Sequence, residues 1–311
     1  MQNIDPKSFL KRISEDFGFD DIGFAAVEKL EKEYEFYLNW LDKGFHGKMQ
    51  YLARREGKRR DISMVLDGAA TVIVLLQNYN TNYKHSNSKH LGKISRYAWG
   101  DDYHDVMKKK LKKISNLAGE FFPENKFKVY VDTGPVLEKQ WAVRAGLGWQ
   151  GKNSLLLNKH FGSYVFIGII ITDLVINPDN PVRDMCGKCT ACIDACPVDA
   201  IVEPKVVDSR KCLSYWTIET KEDTIFPKEI SDKLNGWLFG CDICQEVCPW
   251  NSKNIYTNIN NFKPRNGETE LSLDDILNMT ESEFRLRFKN SPIKRSKLPG
   301  LKRNAKTILK K

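Results

Sequence analysis

The chain has 311 residues, of which 41% are hydrophobic and 29% are charged, and its formal net charge is +9. This length allows two domains, because one hydrophobic core stops growing at about 250 to 300 residues. No stretch is long and apolar enough to cross a bilayer, and the charged, amphipathic N-terminus lacks the apolar run of a secretory signal. We therefore expect a cytoplasmic protein without a membrane partner.

The first 175 residues alternate helical and strand patterns. Asp5 and Pro6 predict the start of a helix with its apolar residues on one face. The run TVIVLL at 71–76 is continuously apolar, which is typical of a strand buried on both faces of a covered sheet. A long helix is predicted over 101–120, followed by a strand over 128–133.

The second part of this region predicts a helix over 135–146 and two strands, SLLLN and SYVFIGIIITDL, paired across the loop KHFG. Residues 176–184 are rich in Pro and Asn and predict a linker. The expected fold class is α+β. We expect an α/β domain over 1–178, a smaller cysteine-rich domain over 179–262 and a short basic helical tail over 263–311.

All eight cysteines lie between residues 186 and 248. The first run, Cys186-x2-Cys189-x2-Cys192-x3-Cys196-Pro197, has the spacing of bacterial ferredoxins, in which the fourth cysteine ligates the other of two clusters. The second run, Cys241-x2-Cys244-x3-Cys248-Pro249, lacks one cysteine, and Cys212 is the remaining thiol. The predicted ligand sets of two 4Fe-4S clusters are Cys186, Cys189, Cys192 and Cys248 for the first, and Cys196, Cys212, Cys241 and Cys244 for the second.

Zinc sites and disulfides are the alternatives for such a cysteine set. Four cysteines at this spacing followed by proline are unusual for zinc, and disulfide frameworks belong to short secreted chains. The pattern therefore favours iron-sulfur clusters, which pass electrons one at a time to an acceptor that we expect in the larger N-terminal domain.

The positive charge is concentrated at the C-terminus. Residues 285–311 contain eleven Lys or Arg and no Asp or Glu. Such a stripe favours a polyanionic partner, although a solvated, partly disordered tail is the other interpretation of a charge run. Two further basic stretches, at 54–60 and 108–113, favour RNA or DNA.

The N-terminal domain contains neither the G-x-G-x-x-G nor the G-x4-G-K-[ST] pattern, so a nucleotide cofactor is unsupported. Asp102-x-His104 resembles half of a cobalamin-binding motif but lacks its glycine, and we interpret His104 as an ordinary helix residue. The residues Asp132-Thr133-Gly134-Pro135 have, on their own, the pattern of a helix cap.

An ordered set of segments resembles the epoxyqueuosine reductase family over most of the chain. The segments are RYAWGDDYHDV at 96–106, VDTGPVLEKQWAVRAGLGWQGKNS at 131–154, GSYVFIGIIITD at 162–173, MCGKCTACIDACPVDAI at 185–201, CLSYWTIE at 212–219 and GCDICQEVCPWN at 240–251. A ferredoxin run alone occurs in many unrelated enzymes, whereas this order of segments is specific in combination.

The resemblance implies a cobalamin-dependent oxidoreductase that reduces epoxyqueuosine to queuosine at the wobble position of tRNA. It implies a nitroreductase-like domain that binds cobalamin base-off, followed by a ferredoxin-like domain whose two clusters receive electrons from an external low-potential donor. The proton donor of the family falls on Asp132, for which we expect a carboxyl group kept protonated by burial. We expect a monomer.

The resemblance also implies a set of cobalamin-binding positions. These are Arg59, Ser95, Asp132, Asn153, Leu156, Ile167, Ser214, Cys241, Asp242, Ile243 and Cys244. Arg144 and Lys152 are candidates for contacts to the corrin amides or to substrate phosphates, with a solvated surface role as the alternative. Longer relatives continue into a HEAT-like repeat that helps to hold tRNA. In this chain we expect a smaller contact with tRNA that rests more on the basic tail. Deletion of 290–311 is then expected to weaken tRNA binding while both cofactors stay bound.

Two rival functions share parts of this layout. A corrinoid reductive dehalogenase has the same order of domains, although such enzymes usually carry a twin-arginine export signal, which this N-terminus lacks. A ferredoxin-like electron-transfer subunit would contain the clusters but no cobalamin.

Overall fold

The computed structural model describes residues 4–86, 88–253 and 255–310. The helices of the N-terminal region are α1 (Pro6–Asp16), α2 (Glu31–Asp42), α3 (Glu56–Arg60), α4 (Tyr103–Phe121) and α5 (Glu138–Arg144). Its strands are β1 (Asp21–Ala26), β2 (Thr71–Asn78), β3 (Leu91–Ile94), β4 (Phe127–Tyr130), β5 (Trp149–Gln150), β6 (Leu156–Leu157) and β7 (Val165–Thr172).

The main sheet has the strand order β1-β2-β7-β4, and neighbouring strands run antiparallel. Strand β2 is buried along its whole length, as its continuous apolar run predicts. Its side chains alternate between two hydrophobic clusters. Ile73 and Leu75 pack with α1 and α4 on one face, whereas Val72 and Val74 pack with α5 on the other. Both faces of the sheet are therefore covered.

The start of α1 follows the expected chemistry, because the side chain of Asp5 accepts a hydrogen bond of 3.0 Å from the backbone N of Ser8. Helix α5 is shorter than the predicted 135–146. Its N-cap is Leu137, which makes no side-chain capping bond, so the interpretation of Asp132 as a helix cap is wrong.

The expected pairing of two strands across the loop KHFG is also wrong for most of their length. Strand β6 pairs with β5, and β7 lies between β2 and β4 in the main sheet. A single bridge between Asn158 and Gly162 joins the two segments across the loop. Two strands that are close in sequence are separated here because β7 is apolar on both faces and belongs in the covered sheet.

The remaining elements follow the linker. The helices are α6 (Ala191–Asp194), α7 (Leu213–Ile218), α8 (Lys228–Ser231), α9 (Ile243–Glu246), α10 (Leu273–Asn278), α11 (Glu281–Arg287) and α12 (Lys297–Leu309). The strands are β8 (Ile201–Glu203), β9 (Val206–Val207), β10 (Trp237–Phe239) and β11 (Glu270–Ser272). Among the described residues, no helix is long and apolar enough to cross a membrane.

A second sheet, of order β10-β3-β11, joins the three predicted units of the chain. Strand β3 comes from the N-terminal part, β10 from the cysteine-rich part and β11 from the tail. Leu298 and Leu301 of α12 pack in the same hydrophobic cluster as Leu238 of β10. The basic tail is therefore a folded part of the core along its described length, and the interpretation as a solvated, disordered tail is wrong.

Candidate active site and cluster sites

Asp132 lies in a turn that follows β4, and its backbone has a positive φ of 56°. Aspartate tolerates this left-handed conformation better than most residues because its short side chain forms local hydrogen bonds. The backbone N of Asp132 donates a hydrogen bond of 2.6 Å to Glu138 at the start of α5. Its Oδ2 accepts from the Tyr103 hydroxyl at 2.9 Å. The bond to Glu138 therefore holds the backbone of the turn, and the bond from Tyr103 holds the carboxylate.

His104 connects Asp132 to a buried carboxylate. Its Nε2 lies 3.2 Å from Oδ2 of Asp132, and its Nδ1 lies 2.7 Å from Oδ1 of Asp102. Asp102 is buried, caps the N-terminus of α4 and forms an ion pair of 2.8 Å with Lys294 of the tail. The imidazole is thus fixed between two carboxylates, and Tyr103 stacks on it with ring centroids 4.0 Å apart.

These contacts decide the protonation states. Burial alone would lower the pKa of His104, but the hydrogen bonds to Asp102 and Asp132 outweigh it and raise the pKa to about 9. Burial would raise the pKa of Asp132, but the hydrogen bonds from His104 and Tyr103 outweigh it, and the pKa lies below its ordinary value. At neutral pH the imidazole is therefore protonated and Asp132 is ionised.

This result corrects the expectation that burial keeps Asp132 protonated. The side chain of Asp132 is 60% exposed, so solvent reaches the carboxylate on one side. The group that burial keeps protonated is the neighbouring Glu138, whose pKa rises to about 8 through burial and repulsion from Asp132. Burial also lowers the pKa of Lys139, the next residue of α5. The open side of Asp132 is therefore bordered by groups that are removed from water.

Tyr97 links this carboxylate to the cysteine-rich part of the chain. Burial raises the pKa of its hydroxyl, Arg295 opposes the rise, and Asp132 and Asp242 add to it. Asp242 lies between Cys241 and Cys244 in the sequence. The Tyr97 ring lies 6.2 Å from the Tyr103 ring between centroids, and a Cβ atom at Gly240 would lie 3.6 Å from it, so Tyr97 is near both the Asp132 turn and the turn that begins at Cys241.

The structure brings together the predicted ligands of the first cluster. Four thiols line a cavity of about 270 Å³, together with Trp250 and Lys152, and they are those of Cys186, Cys189, Cys192 and Cys248. Burial raises the pKa of Cys192, and the other three thiols raise it further. The Trp149 indole Nε1 donates to Sγ of Cys186 at 3.4 Å.

The predicted ligands of the second cluster also lie together, deeper in the fold. Burial raises the pKa of Cys244, and the neighbouring Cys212 and Cys196 raise it further. Burial likewise raises the pKa of Cys241, with Cys212 and Cys244 as neighbours. Cys192 also contributes to the rise at Cys244, so the two sets are adjacent. The donor sets fit two clusters with four thiolates each.

Comparisons with known proteins agree with both sites. A family model described as 4Fe-4S double cluster binding domain matches residues 185–251. A second model, described as Epoxyqueuosine reductase QueG, matches residues 59–133. The epoxyqueuosine reductase of Cyclobacterium marinum is 44% identical over 301 residues, which cover 95% of this chain and 94% of the relative. That of Synechocystis is 42% identical over 93% of this chain and 100% of the relative.

The chain belongs to the epoxyqueuosine reductase family. Solved members agree with this assignment. An epoxyqueuosine reductase in complex with an epoxyqueuosine-modified tRNA-Tyr stem loop superposes with a TM-score of 0.89 at 29% identity, over 97% of this chain and 80% of the solved one. The Streptococcus thermophilus enzyme gives a TM-score of 0.89 at 28% identity over the same shares. The chain is accordingly an oxidoreductase of mixed α/β fold with a double 4Fe-4S cluster domain, which excludes zinc as the metal of the cysteine sets.

Several cobalamin-binding positions implied by the family form a wall beside the second cluster. The side chain of Asp242 is fully buried and accepts hydrogen bonds from the Ser95 hydroxyl and, at 2.6 Å, from the backbone N of Arg96. Asn153 donates to the backbone O of Cys244 at 3.4 Å. The family residues Ser95, Asn153 and Asp242 are therefore tied to one cluster turn, where a cofactor could receive electrons.

The other implied positions have different surroundings. Leu156 and Ile167 pack in one apolar cluster with Val136, four residues after Asp132. Ser214 lies in the first turn of α7, and its backbone N hydrogen-bonds the thiol of Cys212. Arg59 is buried, donates to the backbone O of Arg54 and stacks over the Tyr37 ring at 5.7 Å. Ile243 begins α9, next to Asp242. Of these residues Ile167 is partly exposed, whereas Leu156 and Arg59 are buried.

Two basic candidates have partners in the protein. Arg144 forms ion pairs with Glu28 at 3.0 Å and Glu33 at 3.1 Å, which agrees with the alternative of a surface role. Lys152 lines the cavity of the first cysteine set, and its Nζ donates to the backbone O of Gly187 at 2.9 Å.

Sequence reasoning missed three residues of the site. The interpretation of His104 as an ordinary helix residue is wrong, because its contacts with two carboxylates place it beside Asp132. The Asp102-x-His104 spacing indicates this contact, because the residue that caps a helix can reach the side chain of the second residue of that helix. Tyr103 and Arg295 carried no such signal, because their approach to Asp132 depends on tertiary structure.

Proposed function

We propose that this chain reduces the epoxide of epoxyqueuosine in tRNA to an alkene, with cobalamin bound between the Asp132 turn and the second cluster. The observation that carries the proposal is that the Tyr97 ring lies near both sites. Its centroid is 6.2 Å from that of Tyr103, which donates a hydrogen bond to Asp132, and a Cβ atom at Gly240, next to Cys241, would lie 3.6 Å from the Tyr97 ring. A proton-handling carboxylate and an electron-supplying cluster would therefore lie close to each other. The epoxyqueuosine-modified stem loop bound by a solved relative supports tRNA as the substrate.

The residues around this space fit a large cofactor with an apolar face and a polar rim. Ile167 would supply apolar surface backed by the buried Leu156, while the buried Ser95 and Asn153 would fix the cluster turn through their bonds to Asp242 and Cys244. Ser214 and the turn from Cys241 to Cys244 complete the side that faces the second cluster. Arg59 would contact the cofactor from α3. When bound and reduced, cobalamin supplies a strong nucleophile that delivers two electrons.

Removal of the epoxide oxygen consumes two electrons and two protons and releases water. The protein must therefore deliver protons to an oxygen that gains negative charge as the ring opens. His104 is the protonated group beside Asp132, since its pKa is about 9. We assign Asp132 as the group that passes the proton to the substrate and His104 as its source. The transfer is downhill overall because an alkoxide is a far stronger base than a carboxylate or an imidazole.

The geometry supports a proton relay in which His104 donates to Asp132 and Asp132 donates to the substrate. Nε2 of His104 faces Oδ2 of Asp132, and Nδ1 is held by the buried Asp102, so the ring keeps one orientation. Asp132 keeps an exposed side for the substrate. The Bacillus subtilis relative, 28% identical with a TM-score of 0.90, has a structure with a catalytic aspartate loop swung out of its active site. A movable turn with left-handed backbone at Asp132 fits that behaviour.

The tail supplies positive side chains close to this site. Arg295 is close enough to Asp132 to help lower its pKa, and it forms an ion pair of 2.8 Å with Glu219. Lys297, two residues later, is exposed at the start of α12. A nucleotide whose base reaches Asp132 brings its flanking phosphates to this rim. We therefore assign the segment around Arg295 and Lys297 to contacts with the RNA backbone.

The function is tested with anaerobic, cluster-loaded protein, cobalamin, a strong chemical reductant and epoxyqueuosine-containing tRNA, with the nucleoside examined by mass spectrometry. We expect a loss of about 16 mass units, one oxygen atom. Asp132→Asn should lower the rate at least about 100-fold. Asparagine tolerates the same left-handed backbone, so folding and cobalamin binding should be unchanged.

Asp67→Asn is the matched control, because Asp67 is exposed and lies in a turn outside the site. Cobalamin uptake is followed by its visible spectrum. Full activity of Asp132→Asn would refute the proton-transfer role. Failure of the wild-type protein to bind cobalamin would refute the proposed catalyst.

A further inference from the structure

We propose that the surface around the first cysteine set is the docking site of an acidic electron-carrier protein. The proposal rests on the proposed function, which needs an external donor of electrons. We name this surface the first-cluster face and define it by Lys152, which lines the cavity of those four thiols, and by Arg183, Lys188, Val247 and Lys253, which lie close to the thiols in the sequence.

The two cysteine sets differ in their access to solvent. Cys189 of the first set is exposed, whereas the other seven cysteines are partly buried. The second set lies deeper, because Cys196, Cys212 and Cys241 pack against an apolar cluster that contains Leu213 and Trp237. The second set also lies beside Asp242 and the proposed cobalamin site. Electrons from a carrier protein should therefore enter at the first set and leave through the second.

The charge of the first-cluster face is positive. Lys188 is exposed beside Cys189, and Lys152 reaches the same loop through its bond to the backbone O of Gly187. Lys253 lies over the Trp250 ring, 4.9 Å from its centroid, and Trp250 lines the cavity of the first set. Arg183 is exposed in the segment that leads into this set.

The carboxylates near this face offset part of its charge. Asp184 forms an ion pair of 2.7 Å with Lys205 and accepts from the backbone N of Cys186. Asp194 accepts from the Thr190 hydroxyl at 2.7 Å, which brings no compensating charge, and Glu203 is exposed on β8. The four cations of the first-cluster face outnumber these two carboxylates, so the face carries a net positive charge.

Such a surface fits a transient redox complex. Electron-transfer encounters bury little surface, and complementary charge raises their association rate more than their affinity. Val247, next to Cys248, is 38% exposed and gives the face an apolar spot close to the cluster. An acidic partner would orient its own redox group toward Cys189 by charge alone.

The electron balance is simple. In each encounter one electron leaves the reduced cofactor of the carrier and enters the oxidised first cluster, and no bond to a protein atom changes. Two encounters supply the two electrons that one epoxide consumes. The two protons of the reaction are taken up at the Asp132 site.

The test compares two reductants of the same protein. The probe is a reduced bacterial flavodoxin, an acidic one-electron carrier, and dithionite is the small-molecule control. The variants are Lys188→Glu and Lys253→Glu, neither of which is a cluster ligand. Lys11→Glu, at an exposed position of α1, is the matched control for the change of charge. Cluster content is confirmed by electron paramagnetic resonance.

We expect each face variant to lower kcat/KM for flavodoxin by about fivefold or more at low ionic strength, with the difference shrinking as salt is added. Epoxyqueuosine reduction driven by dithionite should stay within about twofold of wild type for all variants, because a small reductant does not need the face to orient it. Equal flavodoxin kinetics for face and control variants would overturn the proposal. The proposal would also be overturned if dithionite reduced the wild-type protein and flavodoxin did not. In both cases dithionite-driven conversion would leave the proposed function intact.

Discussion

Lys294 and Asp102 form an ion pair of 2.8 Å between the basic tail and the N-terminus of the helix that carries His104. The tail therefore contributes to the catalytic region as well as to the core. Other tail cations also have partners inside the protein. They include Arg287 with Glu268, Arg295 with Glu219, and Arg303 with the backbone O atoms of Trp216 and Thr220. Deletion of 290–311 would remove most of these contacts together, so it cannot isolate RNA binding.

The first prediction concerns the stability that the tail provides. Leu301 of α12 is fully buried in the cluster shared with β10. Leu301→Ala should lower the free energy of unfolding by about 2 to 5 kcal/mol, because the cavity cannot close completely. Leu309, on the same helix, is 41% exposed, and Leu309→Ala should cost less than about 1 kcal/mol. Anaerobic denaturant unfolding of the cluster-loaded protein measures both. Equal costs would show that α12 does not pack as described.

Much of the fold could be predicted because its signals are local. The continuous apolar run at 71–76 predicts the buried strand β2, and the four thiols of the predicted first ligand set line one cavity. The pairing of β6 and the mixed sheet of β10, β3 and β11 could not be predicted. These pairings depend on which segments come together in the folded chain, and the sequence of a short strand does not indicate the strand with which it pairs.

The sequence indicated Asp132, but neither the residues that contact its carboxylate nor its protonation. The family pattern implies Asp132, yet no local pattern indicates that a histidine and a tyrosine donate to its carboxylate. The expectation was that burial dominates its pKa. Burial is the largest single effect on the pKa of Asp132, but the hydrogen bonds from His104 and Tyr103 and the charges of His104 and Arg295 together outweigh it.

The second prediction tests His104 as the source of the proton. His104→Gln keeps a hydrogen-bond donor but cannot carry a positive charge. We expect the rate of epoxide reduction to fall about 100-fold, while cluster content and cobalamin binding stay unchanged. In the wild type the rate should fall as the pH rises through about 9, where the imidazole loses its proton, and the variant should lack this step. His160→Gln, at an exposed position, is the control. A wild-type pH profile that stays flat through about pH 9 would contradict the relay.

The third prediction concerns the contribution of the His104 proton to folding stability. The pKa of His104 is about 9 in the folded protein against 6.5 in the unfolded chain, so folding binds a proton. This stabilisation is complete below pH 6.5 and is lost as the pH rises to about 9, with a size on the order of 2 kcal/mol. The difference in free energy of unfolding between wild type and His104→Gln should therefore shrink over that window. A difference that grows with pH would mean that the folded protein holds a neutral imidazole.

The fourth prediction separates cations at the two ends of α12. Lys297 begins the helix near Arg295, whereas Lys310 follows its last turn. The 13 residues of the helix, at about 1.5 Å each, place the two ends roughly 20 Å apart. Lys297→Gln should weaken binding of a tRNA stem loop and reduce the slope of log affinity against log salt by about one. Lys310→Gln should leave both nearly unchanged. If the two variants behave alike, the tail attracts RNA only through its total charge.

The fifth prediction concerns the glycine that precedes the second cluster turn. Gly240 has a φ of +74°, and a Cβ atom there would lie 2.4 Å from Cβ of Ser95. That contact is far too short, and both atoms belong to segments fixed by Asp242, so the substitution must push the turn away from Ser95. Gly240→Ala should therefore lose iron from the second cluster and weaken cobalamin binding.

Gly267 is the matched control, because its φ of +73° is nearly the same while a Cβ there would meet nothing within 4 Å. Both variants carry the cost of a left-handed alanine, about 1 kcal/mol, and only Gly240→Ala carries the clash. Iron content per chain and cobalamin titration should be normal in Gly267→Ala and reduced in Gly240→Ala. Equal iron content in the two variants would mean that the cluster turn can move away from Ser95 without loss of the cluster. The proposed cobalamin-binding residues Ser95, Asn153 and Asp242 would then not depend on the contact between Gly240 and Ser95.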